Sequence, residues 1–196
     1  MRCSWCSNLA DPRCGRGRAT PDAGHERKDR PVKRSLTALG LAALLSGAVM
    51  AVPAQAEERT CRGSLGAVTV DNLRVPSGAT CTLKGTYVKG TVKVENRATL
   101  QASSIRVVGN VQAEGHAHVA VASSTVGGSI QLKQGGSASV TSNRVTGDVQ
   151  SFTNRGSQTI SSNRINGNLQ CKENAPAPTG SGNVVGGNKE DQCRRL

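Results

Sequence analysis

The chain has 196 residues, 23 of them glycine and only three aromatic (Trp5, Tyr87 and Phe152). Its formal charge of +12 invites a nucleic-acid reading, but so few rings leave bases almost nothing to stack on, and no specific nucleic-acid partner is expected. A core without aromatics must be built from small and β-branched side chains, which favours strands over helices.

The first segment, residues 1–31, is polar and precedes what looks like a true start. Val32 directly precedes the run KRSLTALGLAALL, so residues 1–31 are read as a gene-start artefact or a disordered extension. Cys3, Cys6 and Cys14, with His25 near them, have the flavour of a zinc array. A segment absent from the mature protein is the competing explanation. Residues 32–56 have the three parts of a secretory signal. Lys33 and Arg34 give the positive start, Leu36 to Val52 the apolar stretch, and Ala54-Gln55-Ala56 the cleavage signal. The apolar stretch sits at the short edge for a membrane span. Cleavage after Ala56 would leave a secreted or wall-associated domain, residues 57–196, with no span. That domain carries 16 Lys and Arg against 9 Asp and Glu, and four cysteines. An even cysteine count in an exported chain implies disulfides.

From Val88 a phrase recurs: apolar-x-Gly-x-apolar-(Gln/Lys). It reads VKGTVK at Val88, VVGNVQ at Val107, VGGSIQ at Val126, VTGDVQ at Val145 and INGNLQ at Ile165, with a degenerate VGGN at Val185. Gly90, Gly109, Gly128, Gly147, Gly167 and Gly187 keep a beat of 19–20 residues, which signals a solenoid. Two further columns alternate in phase: Leu83, Ala102, Val121, Val140 and Ile160, and two residues earlier Cys81, Leu100, Val119, Ala138 and Gln158. Ser103-Ser104 and Ser142-Asn143 supply corners, and Asn143, Asn163 and Asn183 share a column suited to an asparagine ladder. The fold class is therefore all-β: a single-stranded parallel β-helix of 19–20 residues per coil and about six to seven coils, expected to be right-handed. Glycine in its column would let neighbouring backbones pass closely. Cys61 and Cys81 are 20 residues apart, Cys171 and Cys193 22 apart. One coil of separation predicts the pairs Cys61–Cys81 and Cys171–Cys193, one at each end.

The VTGDVQ and VKGTVKV phrases at this period resemble the bactofilin-type polymer-forming β-helices over roughly residues 69–170. That resemblance implies a self-assembling module. With a signal and four cysteines, the layout also looks like the small secreted β-helix proteins of actinobacteria.

Catalytic signatures are scarce: no G-x-S-x-G elbow, P-loop or H-E-x-x-H occurs, and no cofactor is implied. One constellation stands out. EGHAH puts Glu114, His116 and His118 at alternate positions, with Glu95 one coil earlier. If all point outward, they would suit a divalent metal, and the two carboxylates also approach retaining-glycosidase spacing. The bland alternative is a polar strand with incidental histidines. Two outward columns complete the picture: Lys93, Gln112, Gln131, Gln150 and Gln170, and Arg106, Thr125, Arg144 and Arg164. They are either a solvated sheet face or a basic surface for an anionic wall glycan or other extracellular polymer. The expectation is a non-enzymatic, monomeric structural or binding solenoid. A pectin-lyase-like carbohydrate-active enzyme and a bactofilin-like assembling module are the alternatives.

Overall fold

The computed structural model describes residues 57–196. The expected leader, the expected cleavage site after Ala56 and the cysteines at 3, 6 and 14 lie outside the described residues.

Among the described residues every strand pairs in parallel with the strand one coil away, and three sheets result. The first has eight strands, from Glu58–Thr60 to Lys189–Asp191; the second has six, from Gly63–Leu65 to Gln158–Ser161; the third has seven, from Thr69–Val70 to Val184–Val185. In a middle coil the three are Val111–Glu114, His118–Ala122 and Thr125–Val126. The chain thus winds about seven times round a three-sided prism with faces named here first, second and third. The repeat dictates this because each coil alone cannot bury its apolar side; stacking makes one continuous core.

The apolar columns become core stripes as expected. Val92, Val111, Ile130, Val149 and Leu169 are in register on the first face, and Leu83, Ala102, Val121, Val140 and Ile160 on the second. Val88, Val107, Val126, Val145 and Ile165 do the same on the third, and all but Ala102 are at most 1% exposed. The glycine column is a close backbone approach. A Cβ on Gly109 would lie 2.7 Å from the Gly90 carbonyl oxygen, and one on Gly167 would lie 2.7 Å from that of Gly147. Successive column glycines bond each other directly, Gly109 N–H to Gly90 carbonyl at 2.9 Å and Gly128 N–H to Gly109 carbonyl at 2.9 Å.

Corners carry the polar ladders. Between the second and third faces, Ser104, Ser123, Ser142 and Ser162 adopt φ of 53°, 50°, 57° and 56° and reverse the side-chain parity. The next residues inward are Asn143, Asn163 and Asn183, buried to 2%, 1% and 6% exposure. Asn143 N–H and Nδ2 both donate to Asn163 Oδ1 (3.0 and 3.1 Å), and Asn163 N–H and Nδ2 both donate to Asn183 Oδ1 (3.1 and 2.9 Å). The asparagine ladder is therefore present. A second one was not anticipated: Asn154 N–H and Nδ2 donate to Asn174 Oδ1 (3.1 and 3.0 Å), and Asn174 in turn donates to Gln192 Oε1. Asn154 and Asn174 also lie 20 residues apart, which was the available signal.

The Pro-containing stretch ENAPAPTGSGN is bonded to the coil before it. Ala175 N–H donates to the Asn154 carbonyl, and Thr179 N–H to that of Gln158, so this segment closes the last coil. Both disulfides form as expected, Cys61–Cys81 with Cα atoms 5.7 Å apart and Cys171–Cys193 with Cα atoms 5.2 Å apart. At the C-terminal end buried Cys193 and the 8%-exposed Leu196 plug the core.

Candidate binding faces

The residues expected to form one basic surface occupy two. Lys93, Gln112, Gln131 and Gln150 are in register on the first face, preceded by Arg74 and followed by Gln170 and Glu190. Arg106, Thr125, Arg144 and Arg164 are in register on the third, preceded by Tyr87 and followed by Val184. The structure does not bring Lys93 to the arginines.

The first face is internally bonded. Gln150 Nε2 donates to Gln170 Oε1 at 2.9 Å, and Gln170 Nε2 to Glu190 Oε2 at 2.8 Å, so the glutamine column braces the coils. At its other end Arg74 bridges Glu58 (2.8 Å) and Glu95 (3.2 Å). The Arg74 guanidinium, with help from Ser77 N–H and Oγ, holds the Glu95 carboxyl below its ordinary range. Beside this network lies an open groove of about 600 Å³, lined mainly by Lys93, Glu95, Asn96, Gln112, Glu114 and Gln134.

The third face is different. Arg106, Arg144 and Arg164 are exposed, and among the described residues none of them makes an ion pair. Arg144 and Arg164 sit in adjacent coils, so two guanidinium-bearing strands lie about 4.8 Å apart with no acid between them. The Arg106 guanidinium carbon lies 5.5 Å from the Tyr87 ring centroid, a cation–π contact that steadies it. Asp148 is no partner for Arg144. It belongs to a corner ladder in which Thr91 N–H donates to Asn72 Oδ1, Asp148 N–H to Ser129 Oγ, and Asn168 N–H to Asp148 Oδ1.

The expected metal constellation does not assemble. His116 is 2% exposed and turns into the core, whereas Glu114 is exposed and His118 half-buried. The reason is the corner: Gly115 has φ of 63°, which breaks the alternation assumed for positions 114, 116 and 118. Glu95 is committed to Arg74 and Ser77, and His118 Nδ1 lies 2.8 Å from Ser137 Oγ. Among the described residues no group of three His, Cys, Asp or Glu side chains gathers around a common point.

No family model, no curated protein and no solved structure matches the chain. Parallel β-solenoid architecture is thus the level at which the chain can be placed, and its two disulfides are compatible with an extracellular location.

Proposed function

We propose that the protein is a secreted, non-enzymatic solenoid that serves as a rigid structural or binding module and associates with an anionic envelope or extracellular polymer. The observation that carries this reading is the unneutralised arginine column of the third face. Like charges stacked in adjacent strands repel, so Arg144 and Arg164 cost stability unless an anion lies across them. The column runs along the solenoid axis, and a linear polyanion laid on it meets several guanidinium groups at once. Guanidinium suits carboxylate and phosphate alike through paired hydrogen bonds. The glutamine column of the first face is assigned a bracing role.

The test is binding of the oxidised protein to polygalacturonate and to poly(glycerol phosphate) at low and high salt. Removing two cations, at about 1 kcal/mol each against an anionic surface, weakens binding about 30-fold in the Arg144→Ala/Arg164→Ala double variant. Retention unchanged by the double variant or by salt would dismiss the third face as a binding surface. Size-exclusion chromatography of the same sample is expected to show a monomer; a ladder of larger species would favour the assembling module instead.

A further inference from the structure

The corner between the first and second faces contains a discontinuity. In the earlier coils the left-handed residue of this corner is Gly78 and then Arg97, and the buried residues that follow are Ala79 and Ala98. From Gly115 onward it comes one position sooner, at Gly115, Gln134, Thr153 and Glu173. The residue that follows then turns inward: His116, Gly135, Asn154 and Asn174. Asn174 and Asn154 pass hydrogen bonds down this column as far as Gly135, whose N–H donates to Asn154 Oδ1 at 2.9 Å. Gly135 has no side chain to hand the ladder on to His116. It is glycine for a steric reason, since a Cβ there would collide with His116 Cε1 and Nδ1.

His116 is the result. Among the described residues neither ring nitrogen meets a hydrogen-bond partner, although the side chain is buried. Burial of this kind leaves polar atoms without compensation. The ionisable groups around the corner are Glu114 and His118 on its own coil, Glu95 and Arg97 on the coil before, and Lys133 on the coil after. None is bonded to the ring, and Glu95 is already held by Arg74. The two disulfides staple the chain before and after this point, and neither crosses it.

We propose that this corner is an acid-operated seam: protonation of His116 opens the turn from Glu114 to Ala117 while the disulfide-stapled blocks on either side stay wound. Burial pushes the His116 imidazole down to about 4, the His118 charge adds to that, and the Ala113 carbonyl acts weakly in the other direction. The folded corner therefore holds His116 neutral, and the open corner, with an ordinary histidine, takes up the proton more readily. The closed state is fully favoured above about pH 6.5 and loses that advantage as pH falls toward about 4. Because Glu114 and Gly115 also line the first-face groove, opening would reshape that groove reversibly.

Hydrogen exchange of the peptide spanning residues 112–120, corrected for intrinsic rates, tests this against the peptide spanning 158–166. The corner-opening constant is expected to rise on the order of 100-fold between about pH 7 and about pH 4, with the control peptide unchanged. His116→Phe, which keeps a ring under Gly135 but cannot titrate, should lose this pH dependence. Acid opening that persists in the variant, or a corner that stays closed at about pH 4, would overturn the proposal. Should the variant not fold, ring-proton NMR of the natural protein decides. Loss of the contact between the His116 ring protons and Gly135 on acidification to about pH 4 supports the seam, and a ring still packed against Gly135 at that pH refutes it.

Discussion

Asn163 offers the sharpest check on how the coils are held together. Its carboxamide makes four bonds: Oδ1 accepts from Asn143 N–H (3.0 Å) and Nδ2 (3.1 Å), while Nδ2 donates to the Val140 carbonyl (2.8 Å) and to Asn183 Oδ1 (2.9 Å). Asn163→Ala does not orphan every partner. Asn143 Nδ2 keeps the Val121 carbonyl at 2.8 Å, and Asn183 Oδ1 keeps the Asn163 N–H at 3.1 Å. Asn143 N–H, in a residue only 2% exposed, loses its acceptor, and the Val140 carbonyl loses one donor. An orphaned buried amide costs about 1–3 kcal/mol and the lost second bond about 1 kcal/mol, so a total near 2–4 kcal/mol is expected. Urea unfolding with an unchanged m-value reads this directly. Asn163→Asp should be at least as damaging, because it places a buried acceptor against the Val140 carbonyl. A shift under about 0.5 kcal/mol for Asn163→Ala would mean that apolar stacking alone carries the coils, and that the ladder is ornamental.

Gly147→Ala should destabilise by about 1–3 kcal/mol, since its Cβ would lie 2.9 Å from the Gly128 carbonyl oxygen. Gly66→Ala, with nothing within 4 Å, should stay within about 0.5 kcal/mol in the same thermal melt. Replacing Cys171 and Cys193 together by serine should cost about 2–4 kcal/mol and raise amide exchange first in residues 184–196, where the last coil lacks a neighbour beyond it. His118→Ala loses only a half-exposed bond to Ser137, and a change above about 1 kcal/mol would show that the second face is more tightly coupled than this contact implies.

The repeat was legible because its causes recur in every coil. Val107, Gly109 and Val111 have copies at Val126, Gly128 and Ile130, and no single residue has to be interpreted alone. The terminal disulfides followed from the same period. What was not legible depends on parity at a corner. The expected outward His116 rested on counting by twos back from Val119, but the strand begins only at His118, and Ala117 and His118 both stay outside the core before the corner turns His116 inward. The Asn154–Asn174 ladder was hidden because its column holds His116 and Gly135 in the preceding coils, so asparagine repeats in it only twice. Two polar columns looked like one basic surface for a related reason: a period says which residues stack and nothing about which side of the prism they stack on.

Among the described residues nearly every bond between coils joins residues about 20 positions apart, and none ties the first coil to the last. The molecule therefore has no closure condition, and its length is a free variable. Duplicating one unit of 19 residues between the two stapled ends should add a single step of about 4.8 Å to the axis and leave every other coil as it was. Such a chain works as a ruler whose graduation is written in its gene. Its axial length can be changed by adding or removing whole coils, with no change of fold.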